Sequence, residues 1–445
     1  MKKQTVRYIV IAVISLLLVL ACCFGIYVYL SGRNSHQGKS VEIIGFSPET
    51  VESIKITNGN YHYELEKDDG FWRLEDNEDK ILVQQSVKEA VNVFSLIKGT
   101  EVKLKESPAF SIRVEIEKSF SDIIFMLAKA DGKYYLKTSK DKIYEVSQVI
   151  YSVADRKADF YRDKTVTDIR SFGKEGENKF VSYNYKFKDD DGKTKETNLR
   201  LKNASEVSRY DSSSQYMMTT PYVRAVDKDV FEEKVLTKIP LITVENFVYE
   251  KAELSEFGLD KNSRGVLTVK YDNKTFVLYV GDDVENSGEI YCMTPDIKEV
   301  FTVKRETLDF LAYSGFEYAD KNLFPYNESY IKNVRIKSGK LDVNIKSQGD
   351  SFYVDETPVS NEIKGSFFEE LKKIKISSIE KSASGGAEIM QITITGSDGA
   401  SFNYKVLKTN DEKILISEGN MYLKADIKDI NAFLEYLKQL EKTPV

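Results

Sequence analysis

The sequence predicts an α+β protein: a single N-terminal transmembrane helix followed by repeated small antiparallel-sheet-plus-helix units. Three observations predict it. Residues 8–30 contain no charged side chain, the rest of the chain alternates apolar and polar positions in short runs broken by Gly, Asn and Asp, and the same order of runs recurs along the chain. At 445 residues the chain exceeds one ordinary core and calls for two or three globular units. Its 27 Tyr and 24 Phe favour strands, because aromatic side chains suit a pleated, half-buried surface.

The first element is the apolar run from Tyr8 to Leu30. At about 1.5 Å of rise per residue it is long enough to cross a hydrocarbon core of about 30 Å. Lys2, Lys3 and Arg7 precede it and only Arg33 and Lys39 follow closely, so the positive-inside bias puts the N-terminus in the cytoplasm. The expected location is therefore the cell membrane, single-pass, with the C-terminal domain outside. A cleaved signal is the alternative, since Val19–Cys22 (VLAC) resembles a lipoprotein cleavage box that would lipidate Cys22. The apolar run continues through FGIYVYL, beyond the roughly 7–15 residues of a signal peptide, which favours an uncleaved anchor. Residues 1–30 are read as stub and anchor, and residues 31–40 (SGRNSHQGKS) as a polar tether.

Five of the 64 basic residues and none of the 70 acidic ones fall in residues 1–39, leaving 59 against 70 in the exported part. An acidic surface of this kind argues against nucleic acid and is read as a soluble exterior. Cys22 and Cys23 lie in the apolar run and Cys292 stands alone, so no disulfide is expected in the folded part. Three glycosylation-type triplets begin at Asn203, Asn273 and Asn327, a number that chance alone supplies.

From Val51 to Asp76 three short alternating runs are broken at NGN and DDG, a strand meander, and Val83, Val87, Val91, Phe94 and Ile97 then mark one helix face. The order returns from Tyr330 to Thr357, followed by a second helical run, with Phe352 opposite Trp72 and Val354 opposite Leu74. A position that accepts both Trp and Phe is read as core packing of the third strand on the helix, ahead of ligand stacking. A second kind of unit runs from Ser111 to Ser147, from Val266 to Phe316 and from Met390 to Leu440, with a fourth, weaker copy from Phe180 to Lys238. Such self-similarity implies stacked units that bury each other's apolar faces. Three α+β lobes are expected, residues 41–165, 166–325 and 326–445, with hinges after Asp163-Lys164 and Asp320-Lys321.

The chemistry this chain can carry is limited. His36 lies in the tether and His62 in a predicted strand, so zinc sites and Ser-His-Asp or Cys-His nucleophiles are close to excluded. Carboxylate pairs occur at Asp189–Asp191 and Asp282-Asp283, both read as hairpin loops in which Asp serves turn geometry. DDDGK lacks the spacing and closing Glu of a calcium loop, and neither a GxxxxGK[ST] nor a GxGxxG motif occurs. No catalytic, cofactor-binding or metal residue is assigned, and the protein is read as not an enzyme.

The run ELSEFGLDKNSRGVLTVKYDNKTFVLYVGDD, from Glu253 to Asp283, resembles the hallmark of a bacterial family, domain of unknown function 4340. There a GLD step, here Gly258, Leu259 and Asp260, precedes a strand pair ending in glycine, here Gly281. Lys261-Asn262-Ser263 stands where the family often has a proline. The opening strands, the first helix and the two DK exits are also similar, so the resemblance spans nearly all of residues 41–445. It implies an anchored, exported protein, often found beside ABC-type exporter components, including relatives of a gliding-motility auxiliary subunit. The expectation is thus a membrane-anchored extracytoplasmic, non-enzymatic accessory or interaction protein. Its partners would be the bilayer, through residues 8–30, and ABC exporter subunits. The alternative is an extracytoplasmic binding module for a cell-wall polymer or small solute, using a groove between lobes.

Overall fold

The computed structural model describes residues 39–441 except for 60, 76–79, 173–177, 190, 212, 249–251, 261–262, 314, 350, 381–385, 409–412 and 419–420. The expected membrane anchor, residues 8–30, and most of the tether lie outside the described residues. Among the described residues no helix is long and apolar enough to cross a membrane. The single-pass helix and the cell-membrane location are corrected accordingly.

The expected array of small sheet-plus-helix units is corrected too. The fold is dominated by three large antiparallel sheets, of nine, eight and nine strands. The reason lies at the edges of the small units. A three-stranded meander leaves a row of unpaired backbone N–H and C=O groups. The opening strand of each meander meets that need by pairing with the next unit: Val51–Asn58 lies beside Ile112–Lys118, and Ile331–Ser338 beside Ala387–Gly396. The two kinds of unit seen in the sequence are therefore halves of one sheet.

All three sheets share one path. In the first, the meander Val51–Asn58, Tyr61–Asp68, Phe71–Leu74 leads into the helix Gln84–Ser95. The chain then crosses to the far side of the sheet as Leu96–Glu101, and returns through Ile112–Lys118, Ile123–Ala130, Lys133–Thr138 and Ile143–Val146, which pairs with the crossover strand. The third sheet repeats this path, with the helix Asn361–Lys373 and the crossover strand Ile376–Glu380 beside Met421–Asp426; its ninth strand is Thr357–Val359 on the meander, whereas that of the first sheet is Val41–Gly45 on the crossover strand. In the second sheet Phe180–Lys188, Thr194–Leu201 and Tyr216–Thr220 form the meander. Hence Phe180–Lys238, read in the sequence as another copy of the second unit, is a copy of the first. Its crossover helix is short, Lys228–Phe231 running into a π-helical turn Glu232–Leu236. Its crossover strand shrinks to residues 244–248, where Phe247 bridges Phe301 and the Glu245 amide donates to the Thr302 carbonyl at 2.8 Å.

Each sheet has its own core. In the first, the helix buries Val87, Ala90, Val91 and Phe94, as its apolar stripe requires, and Trp72 is 4% exposed. The Gln84 side chain accepts from the Trp72 amide at 2.7 Å and donates to its carbonyl at 2.8 Å, tying the short third strand to the helix start. In the third sheet Phe352 takes the same place and packs against Phe367 and Phe368 of the helix. The second core is built around Phe231, whose ring is met by those of Phe180, Tyr183, Tyr216 and Tyr318.

The chain divides into two compact units between Asp163 and Lys164, with the second and third sheets together in the later one. Within that unit Arg209 pairs with Asp398 at 2.9 Å, Tyr210 stacks on Tyr326, and Ile379 packs against both cores. The segment after Asp320 is clamped by Arg224, 2% exposed, which donates to the carbonyls of Asp320 and Asn322. Lys321 donates to the Phe316 carbonyl and covers the Phe316 ring.

Candidate functional site

The residues quoted above for the family resemblance meet at one end of the second core. Leu254–Phe257 is a single 3-10 turn, opened by Glu253, whose amide donates to the Glu256 carboxylate at 3.1 Å. It is closed by Gly258 in the left-handed conformation (φ 66°), which glycine adopts without the steric penalty of a Cβ. This turn lies on the end of strand Lys274–Asp283. A Cβ on Gly281 would stand 2.1 Å from the Phe257 carbonyl oxygen, and one on Gly258 would stand 2.7 Å from the Asp282 carboxyl carbon. Phe257 and Leu259 are buried, and Phe257 packs on the Tyr291 ring. Gly258, Leu259 and Gly281 thus serve the close approach of a turn to a strand.

Beside this seam, between the second sheet and the 3-10 helix Arg305–Ala312, is a cleft of about 230 Å³. Tyr185 and Phe187 enter it from one strand, their rings stacked 5.3 Å apart, and Val280 and Ile290 from two others. Leu308, Leu311 and Ala312 close it from the helix. Gly265 leaves room for Tyr185, whose hydroxyl oxygen would meet a Cβ there at 2.7 Å. Burial pushes the Tyr185 phenol up to about 12, partly offset by the charge of Arg264, so it is neutral at any ordinary pH. The charged residues lining the cleft are Arg264, Arg305, Asp283 and Asp309. Asp283 lies between the two arginines: Arg264 Nη1 is 3.3 Å from one carboxylate oxygen, and Arg305 pairs with the other.

The sequence reading of Asp282-Asp283 as a hairpin loop is corrected, since both residues belong to the strand Lys274–Asp283. Asp189 does serve a turn, accepting from the Lys193 amide at 2.8 Å, a bond that together with Lys195 holds its carboxyl below the usual range. Asp190 lies outside the described residues. His36 does as well, and His62 is an exposed strand residue whose Nδ1 is 3.1 Å from the Thr57 hydroxyl. Asn203 caps the helix Ala204–Arg209, accepting from the Glu206 amide at 3.0 Å. Cys292 is buried in the second core, and burial pushes its thiol up, which keeps it protonated and unreactive.

A general acid needs a buried carboxyl held in its neutral form. Among the described residues Glu64 is the buried carboxylate. Burial alone raises its pKa, but Lys55 at 2.6 Å and Ser53 outweigh that and hold it below the usual range, so it is ionised and acts as an ion-pair partner. Among the described residues no group of three or more His, Cys, Asp and Glu side chains could hold a metal. Sequence reasoning missed Arg264, Arg305, Tyr185 and Phe187. The arginines stand far from Asp283 along the chain, and each looks like an ordinary surface charge beside a strand.

Fold and site together define a repeat protein of three related antiparallel sheets, in which the second copy carries a small cleft framed by a tightly packed glycine seam. Residues 218–388 match the family model for Domain of unknown function (DUF4340), which covers the GLD step, the glycine strand pair and most of the cleft, and this segment belongs to that family. No curated protein matches the chain. No solved structure matches it either.

Proposed function

We propose that this protein works without chemistry of its own, as an interaction or accessory subunit whose partner is an ABC-type export assembly. The observation that carries the reading is the use made of the family signature. Gly258, Leu259 and Gly281 are committed to packing a turn onto a strand at the rim of the cleft, so these three positions of the signature contribute shape to a surface. The partner class rests on the family resemblance. The test is affinity purification of the protein from its native cells after mild cross-linking. The expected result is stoichiometric recovery of exporter permease or auxiliary subunits. Recovery of the protein alone, at native expression and with cross-linking, overturns the reading.

A second reading, a binding module, is favoured by the cleft itself. A volume of about 230 Å³ is below the roughly 300–1,000 Å³ of sites for drug-sized ligands, which favours a small solute over a length of wall polymer. The cleft lies within the lobe of the second sheet and is not a groove between lobes. A saturable rise in the unfolding temperature with a solute panel supports this reading, since a ligand at 100 times its dissociation constant adds about 2.7 kcal/mol. A flat response across the panel removes it.

A further inference from the structure

The cleft's chemistry narrows what it can hold. We infer that it binds an apolar group of about phenyl or leucyl size that ends in a carboxylate, the apolar part among the Phe187, Val280, Ile290, Leu308 and Leu311 side chains and the carboxylate on Arg264 and Arg305. This deepens the binding reading above and rests on it.

Size sets the apolar part. A dry cavity of about 150 Å³ accommodates benzene, so about 230 Å³ holds one ring or branched side chain with little to spare. The walls carry two stacked aromatic rings and aliphatic side chains from three other elements, which reward an apolar occupant at about 25 cal/mol per Å² removed from water.

Donor count sets the polar end. Two guanidinium groups offer about ten N–H donors, whereas the carboxylate between them accepts about four. Asp283 therefore leaves donors on both arginines for a second carboxylate, and the fork geometry of a guanidinium suits a two-oxygen acceptor. Asp283 also holds the two arginines together, so the donors are oriented before a ligand arrives. Asp309 lines the same cleft from the 3-10 helix. With it the four charges sum to zero, so a carboxylate is held by oriented donors and is opposed by Asp309. Removing the Asp309 charge should therefore strengthen the binding of an acid, an outcome that a purely apolar cleft would not show.

The same chemistry has two sources, a free small acid and the C-terminal residue of a polypeptide. The experiment titrates the full chain with 3-phenylpropionate, 3-phenylpropionamide, acetyl-glycyl-phenylalanine and its C-terminal amide, read by ligand-observed NMR and calorimetry. The expected result is saturable binding of at least one acid, weakened about tenfold or more in its amide and in Arg305→Gln, and tightened several-fold in Asp309→Asn. Ala312→Trp, which fills the cleft from its exposed side, should abolish binding while circular dichroism and the unfolding midpoint stay unchanged. Binding of 3-phenylpropionate assigns the site to small acids, and binding of the dipeptide acid alone assigns it to chain termini. Acid and amide binding equally well overturns the carboxylate assignment and leaves the cleft as an apolar site. If no probe binds saturably at millimolar concentration, the carboxylate assignment and the solute-binding reading fall together, while the accessory reading is judged by its own purification.

Discussion

Replacing Gly281 by alanine tests whether the family signature is a packing seam. The new Cβ would lie 2.1 Å from the Phe257 carbonyl oxygen and 3.0 Å from Leu259 Cγ. Ordinary contact begins at 3.4 Å, so the turn must retreat by about 1.3 Å (3.4 − 2.1). The obstacle is backbone, capped by Gly258 and anchored by buried Phe257 and Leu259, and cannot rotate away as a side chain would. Overpacking of this kind costs about 1–3 kcal/mol. The loss should be local, so the assay is hydrogen exchange of peptides spanning residues 253–293, with urea unfolding followed by circular dichroism as the global measure. Gly59→Ala is the control, because a Cβ there meets nothing within 4 Å and should shift stability by less than about 0.5 kcal/mol. If Gly281→Ala exchanges and unfolds like the unmodified chain, the seam is not tight and the structural reading of the GLD signature is wrong.

Other perturbations follow from the same structure. Trp72→Ala should destabilise the first unit by about 3–5 kcal/mol in urea unfolding, as truncation of a buried aromatic does, and a loss below about 1 kcal/mol would contradict its core role. Gly365 sits within the helix Asn361–Lys373 with open space where a Cβ would go, so Gly365→Ala should stabilise the chain by about 0.5–1 kcal/mol in the same assay. Asp398 is held down to about 2 by the Tyr330 hydroxyl, the Ala400 amide and Arg209. A depressed carboxylate stabilises the fold above its ordinary value, near 3.9, and that contribution is lost as pH falls from about 4 to about 2. Asp398→Asn should therefore flatten the fall of the melting temperature across that window, and an unchanged slope would remove the pairing from the account.

Local patterns were legible in the sequence and distant pairings were not. The meander from Val51, the stripe of Val87, Val91 and Phe94, and the match of Trp72 to Phe352 follow from period and turn chemistry, which act over a few residues. That the opening strand of each meander pairs with a strand from the next unit depends on partners some sixty residues away along the chain, as in Val51↔Lys118. No local propensity encodes that choice, and three large sheets replaced the expected small units. The cleft failed to show for the same reason. Asp283 looks like a turn residue in VGDDVEN, and its two arginine partners come from the start of another strand and from the 3-10 helix. The seam left a trace, the glycine ending the alternating run FVLYVG, but its meaning required the Phe257 carbonyl to be seen against it.

The central functional proposal is that this protein meets an export assembly, and the segment that matches the family model, residues 218–388, is the surface to test first. The most direct test places a photo-cross-linking residue at Ala312, on the rim of the cleft, and another at Phe120, 96% exposed in the first unit, and identifies adducts formed in native cells. Adducts with an ABC-type exporter subunit are expected from position 312, and none of comparable yield from position 120. Adducts with no exporter subunit from position 312, while the protein is folded and expressed, would contradict it.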